Sequence, residues 1–189
     1  MHIVALSGSP SASSRSSALL RHALTRVDAS ASRVEIVLRD LPPAALLRAD
    51  TSDPQIRAAR DHVAEARLVI VATPIYKASY SGLLKTFLDL LPPDALRGRT
   101  VLALGTGGSA AHLLALDYAL KPVLASLGAR HVLDAVYATD AQFASDGAGG
   151  HVVDDAITER IDRALADLPV AFLVRALPRR EDAPVVLAA

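Results

Sequence analysis

Apolar runs followed by a turn and an amphipathic stretch recur along this chain, and that recurrence limits the fold more than any other feature. Residues 2–6 (HIVAL) form a short apolar run that ends in the turn-prone SGSPS. From Ser16 to Val27, Ala18, Leu19, Leu20, Ala23, Leu24 and Val27 keep helical spacing. Residues 33–38 (RVEIVL) read as a second strand, followed by a proline-containing loop. Asp53-Pro54 places an N-cap before a first-turn proline, which predicts a helix running to Ala66. RLVIVATP (67–74) is continuous and β-branched, as a strand covered on both faces should be. A helix from Ser81 to Leu91 stops at Pro92-Pro93, and RTVLALGTGG (99–108) repeats the strand-then-glycine pattern. A helix over 110–127, a fifth strand over 131–138 (HVLDAVYA) and a Gly-rich loop follow. The last helix starts at Asp154 and is expected to reach Leu177, with Pro169 bending or ending it.

Strands that alternate with helices predict a parallel sheet with helices on both faces. Five strands in 189 residues suit the α/β, flavodoxin-like doubly wound sheet of order 2-1-3-4-5. Residues 1–177 are expected to form that domain and 178–189 a C-terminal tail. A hydrophobic share of 51% against 21% charged excludes disorder. Twenty basic and twenty acidic side chains cancel, so no electrostatic footprint for nucleic acid or an anionic membrane is expected. No apolar run reaches the ~18–20 residues of a membrane span. The first ten residues lack a basic region, and the chain has no cysteine, which together predict a cytoplasmic protein without disulfides or thiolate metal sites.

In doubly wound sheets, ligands bind outside the carboxyl ends of the strands at the switch point. Three loops meet that condition. The first, 7–17, holds seven serines in eleven residues and reads either as a serine-rich helix cap or as a phosphate site. Its place between a strand and a helix favours the latter, because backbone amides, hydroxyls and the helix dipole converge there on an anion. Arg15 adds a charge-assisted donor. The Walker and G-x-G-x-x-G patterns are both missing from it, so a phosphomonoester is the expected guest. The second loop, Thr73 to Gly82, offers an apolar tip with two tyrosines as a ledge for a planar ring, with Lys77 as a nearby cation. The alternative is a surface loop whose tyrosines cover the next helix. The third, Gly105 to Ala110, matches G-x-G-x-x-A after the fourth strand instead of the first. It reads as a loop whose amides approach a ligand closely.

Phosphate plus planar ring in such a sheet describes FMN. LSGSPSASSRSS, ATPIYKASYSGLLKTFLDLLP at 72–92 and GTGGSAAHLLALDYALKPVLASLGA at 105–129 resemble the NAD(P)H-dependent FMN reductases. Within that family, the likeness is to reductases that feed alkanesulfonate monooxygenases, and it spans residues 2–140. The resemblance implies hydride transfer from NADPH or NADH to FMN, which leaves reduced for a flavin-dependent monooxygenase in sulfonate sulfur acquisition. On this reading Ser9, Ser14, Arg15 and Ser16 hold the phosphate; Pro74, Ile75, Tyr76 and Lys77 flank the ring; and Thr106, Gly107 and Gly108 meet its polar edge. Many relatives carry Arg where this chain has Ser11, so the resemblance implies either weaker phosphate or nicotinamide affinity or compensation by Arg15. The rival readings are a flavin-retaining quinone, azo or metal reductase and a non-enzymatic flavodoxin-type electron carrier. The chain's neutrality opposes the carrier, which steers its partners with acidic charge.

No catalytic side chain is needed for such a reaction, since the cofactor carries the chemistry. The six histidines show no i, i+4 pair and no H-E-x-x-H, so no metal is expected. The helix over 110–127 is apolar around nearly its whole circumference, although the sheet covers one side only. The other face is expected to meet a second subunit, in a homotetramer. Pro122 deprives the Tyr118 carbonyl of its usual donor, which predicts an irregular turn or a π-bulge there; in the expected oligomer, Tyr118 reaches across towards a neighbour's flavin site. A simple proline kink with Tyr118 in the monomer core is the alternative.

Overall fold

Nine strands and six α-helices follow one another in the computed structural model, which describes residues 2–27 and 29–168. The strands are β1 (His2–Ser7), β2 (Ser32–Val37), β3 (Leu68–Tyr76), β4 (Ser79–Tyr80), β5 (Thr100–Gly107), β6 (His131–Val132), β7 (Val136–Thr139), β8 (Phe143–Ser145) and β9 (His151–Val153). The helices are α1 (Arg15–Thr25), α2 (Pro43–Leu47), α3 (Pro54–Glu65), α4 (Gly82–Leu88), α5 (Lys121–Ser126) and α6 (Asp155–Leu165).

The main sheet runs β2-β1-β3-β5-β6, all parallel, with β7 also on β5. This is the expected order, with its fifth strand in two pieces. Val101 pairs Val132 but Leu104 pairs Val136, so two residues of β5 oppose three of the edge. Residues 133–135 are therefore a bulge, which breaks the edge strand without ending it. Alternation sorts the inner strands onto two cores. Val4, Leu6, Val69, Val71, Val101 and Ala103 face α2, α3, α4 and α5. Ile3, Ala5, Leu68, Ile70, Leu102 and Leu104 face α1 and α6. A strand buried on both faces reads as a continuous apolar run, as β3 does.

Local signals set the helix ends. The Asp53 carboxylate accepts from the amides of Gln55 and Ile56, and Asp154 accepts from Ile157 at 2.8 Å. Other features depart from the sequence reading. The proline loop contains α2, which starts on Pro43. The Gly-rich loop carries the β8–β9 hairpin, held by Asp146, whose carboxylate accepts from Ala148 and Gly150. Finally, α6 ends at Leu165; Asp28, Pro169 and the tail lie outside the described residues. Among the described residues, no helix is long and apolar enough to cross a membrane.

The expected helix over 110–127 is in three parts: a 3-10 turn at Ala110–His112, a π-helical turn at Leu116–Leu120, then α5. Pro122 sits in the first turn of α5, and the Lys121 amide reaches back five residues to the Leu116 carbonyl. The wider turn is the relief that an interior proline demands. Tyr118 on this turn is 57% exposed, which overturns the alternative of a core tyrosine.

Candidate functional site

The loops leaving β1, β3 and β5 meet at the carboxyl edge of the sheet and are tied to one another. The Gly8 amide donates to the Ala72 carbonyl at 2.8 Å, and the Ser81 hydroxyl donates to the Gly8 carbonyl at 2.5 Å. A Cβ on Gly8 would stand 2.9 Å from the Ala72 oxygen, so only glycine permits this approach. Ser81 also caps α4, and its amide donates to the buried Thr73 hydroxyl. One serine thus fixes the first loop, the end of β3 and the next helix.

Ser14 is the N-cap of α1: its hydroxyl accepts from the Ser17 amide, and its carbonyl from that of Ala18. The amides of Arg15 and Ser16, which no helical carbonyl can serve, remain at the positive end of the dipole. The Arg15 guanidinium lies 3.5 Å from the Asp140 carboxylate, and its Nε is buried without a hydrogen-bond partner. A buried, unserved guanidinium nitrogen beside a helix N-terminus is a strong anion donor.

β3 continues through Pro74, Ile75 and Tyr76 into a two-residue hairpin with β4. Lys77 and Ala78 form the turn with φ of 49° and 61°, the backbone that such tight hairpins require but that non-glycine residues adopt at a cost. The Tyr118 hydroxyl donates to the Ala78 carbonyl. On the third loop, a Cβ at Gly107 would collide with the Tyr137 hydroxyl, which is itself fixed on the Ser109 carbonyl at 2.7 Å. Burial, and secondarily Asp140, pushes the Tyr137 phenol up, which keeps it a proton donor.

A cavity of about 400 Å³ lies between these loops, lined by Ser9, Ser11, Ser13, Ser14, Arg15, Pro74, Ile75, Tyr76, Thr106, Gly107, Gly108 and Asp140. Nine of the twelve residues singled out from the sequence line it. The other three lie beside it. Ser16 is buried with its hydroxyl on that of Ser14, Lys77 is at the hairpin tip, and Tyr118 reaches only the hairpin carbonyl. Ser11 and Ser13 of the same serine loop also line it, and Asp140 is added by the structure. Asp140 follows the fifth strand, and the switch-point rule directs attention to strands one, three and four; its position at a strand's carboxyl end was the available signal. A second cavity of about 440 Å³ lies between α1 and the β8–β9 hairpin. Its Arg21 is engaged by Glu35 and its His22 by Thr158, so both side chains are already partnered within the chain.

Residues 1–144 match the family model described as NADPH-dependent FMN reductase. The chain belongs to this family. It is 43% identical over 180 residues to an FMN reductase (NADPH) of Pseudomonas putida, covering 94% of this chain and 91% of the relative. It is 48% identical over 145 residues to the FMN reductase (NADPH) of Escherichia coli (strain K12), covering 75% of each. The solved structure of an NADH:FMN oxidoreductase (EMOB) in its apo form superposes with a TM-score of 0.76 at 45% identity, covering 87% of this chain and 86% of that one. This family member is therefore an NAD(P)H-dependent FMN oxidoreductase of flavodoxin-like fold. Its residues fit the cofactor. The unserved Arg15 Nε and the first-turn amides suit a phosphate, and the crowding at Gly107 leaves a side-chain-free edge where a planar ring can approach the backbone.

Proposed function

We propose that the chain reduces free FMN in this cavity and releases it to a flavin-dependent monooxygenase serving sulfonate sulfur acquisition. The observation that carries the site assignment is the buried, unpartnered Nε of Arg15 at the α1 N-terminus, on the cavity wall. FMN, when bound, accepts the hydride of the nicotinamide and supplies the redox chemistry. The chain's own residues bind and orient it. Ser9, Ser14 and Arg15 hold the phosphate, and Ser16 fixes the Ser14 hydroxyl. Pro74, Ile75 and Tyr76 support the ring, Lys77 lies at its rim, and Thr106, Gly107 and Gly108 present backbone to its polar edge. Tyr118 holds the hairpin that carries the ledge.

NADPH and NADH both occur among the names of similar proteins, so either is the reductant in this proposal. A cytoplasmic homotetramer is the proposed working form. Leu113, Leu114 and Tyr118 are exposed within six residues of chain, and exposed apolar groups clustered in this way mark interfaces. The deciding experiment is steady-state oxidation of NADPH with free FMN in large excess over enzyme. Many turnovers are expected from a preparation that elutes nearly colourless. A stoichiometric yellow protein that survives gel filtration, with turnover only when quinone is added, would replace this proposal with a flavin-retaining reductase.

A further inference from the structure

We propose that His2, His62 and Glu65 form a site for a divalent d-block cation of the zinc class at the amino edge of the sheet. His62 and Glu65 are three residues apart in the last turn of α3 and share one face of it. His2 opens β1 beneath them, its ring centroid 5.6 Å from that of His62. One nitrogen from each imidazole and one Glu65 oxygen all lie within 4.8 Å of one another.

The orientation of His2 points the same way. Its Nδ1 is 3.3 Å from the Ser32 hydroxyl on β2, while its Nε2 is buried without a hydrogen-bond partner. With Nδ1–H donating to Ser32, the tautomer leaves the Nε2 lone pair free to ligate. Outer hydrogen bonds fix metal-binding histidines in this way. Among the described residues, no hydrogen bond or ion pair joins any two of the three. The cluster thus presents three donors that do not satisfy one another.

The donor set selects the ion. Two imidazoles and a carboxylate with a water in the fourth position suit Zn²⁺, whereas Mg²⁺ and Ca²⁺ take all-oxygen shells. Tetrahedral ligation with bonds near 2.1 Å places donors about 3.4 Å apart, so the side chains must close by up to about 1.4 Å. Glu65 is exposed and His62 only half-buried, so both have room to do so. Glu65 also ends its helix, where the dipole disfavours a carboxylate and favours a cation. The bound ion would tie the start of β1 to the end of α3. It would do so about 17 Å along β1 from the phosphate loop, outside the flavin cavity.

The test uses the full, tag-free chain, stripped with a chelator, titrated calorimetrically with zinc chloride and followed by thermal unfolding. One saturable equivalent with a Kd of micromolar or tighter and a rise in Tm are expected, and magnesium chloride should give neither. His62→Ala and Glu65→Gln should each weaken zinc binding by at least about tenfold, and Ser32→Ala by about tenfold through the lost orientation of His2. FMN turnover should stay unchanged in all three. No saturable zinc binding, or the same isotherm in Glu65→Gln as in the parent, overturns the site. Should His62→Ala fail to fold by circular dichroism, the exposed Glu65→Gln decides alone.

Discussion

The Tyr118 hydroxyl donates a 2.6 Å hydrogen bond to the Ala78 carbonyl and so joins the π-helical turn to the tip of the β3–β4 hairpin. The tip holds Lys77 and Ala78 with left-handed φ, a conformation that needs outside support. Tyr118→Phe keeps the ring and removes only the bond, worth about 0.5–1.5 kcal/mol net. FMN affinity, read by quenching of flavin fluorescence, should fall by about 2–13-fold while the far-ultraviolet spectrum stays the same. An unchanged Kd would detach Tyr118 from the flavin ledge.

Arg15 should separate FMN from riboflavin. A charge-assisted bond is worth about 1.5–3 kcal/mol, so Arg15→Ala should lower kcat/KM for FMN by about 10–150-fold. Riboflavin, which has no phosphate, should lose little. Arg15→Lys keeps the charge but not the fork, so it should fall between the two. Equal losses on both flavins would remove Arg15 from the phosphate site.

Much of this was legible in the chain, for definite reasons. Residues 68–75 and 101–106 are buried on both faces, so their continuous apolar runs identified the inner strands. Pro122 signalled an irregularity in this helix, because its missing amide leaves one upstream carbonyl without its usual donor. What stayed hidden depends on distance or on very short elements. β8 and β9 are three residues each, too short for alternation to register. The bulge at 133–135 exists only relative to the register of β5. Asp140 meets Arg15 across the switch point, and His2 on β1 meets His62 on α3, with α1, β2 and α2 between them in the chain. No spacing rule for neighbouring residues can find such pairs.

Leu113 is 50% and Leu114 59% exposed in the turn that joins the 3-10 turn to the π-helical turn. Light scattering should find the wild type as a tetramer, and Leu114→Glu should shift it to smaller species without loss of secondary structure. A wild-type monomer at all concentrations would show that this apolar cluster has some other use.

Gly107 should not tolerate a methyl group. The Tyr137 ring is buried and its hydroxyl is fixed on Ser109, so it cannot swing clear of a new Cβ. Gly107→Ala should cost about 1–3 kcal/mol in urea unfolding, the usual range for overpacking. Adding Tyr137→Phe removes the colliding oxygen, so the double variant should be less destabilised than the sum of the two changes. Strict additivity would mean that the clash is relieved elsewhere.

His22 should make the protein acid-sensitive. Burial first, then Arg26, lowers its imidazole pKa, and Asp162 opposes them only in part. In the fold, Nε2 sits 2.9 Å from the Thr158 hydroxyl. The unfolded chain takes up this proton near pH 6.5, while the folded chain does so only at lower pH. Between those two values the unfolded state binds more protons, so stability must fall as pH falls. Above about pH 6.5 both states are neutral at His22, and the residue adds no pH dependence. His22→Gln retains a hydrogen-bonding side chain and removes the titration. Between about pH 7.5 and about pH 5, the wild-type Tm should therefore drop further than that of the variant. Parallel Tm profiles would place the acid sensitivity on other groups.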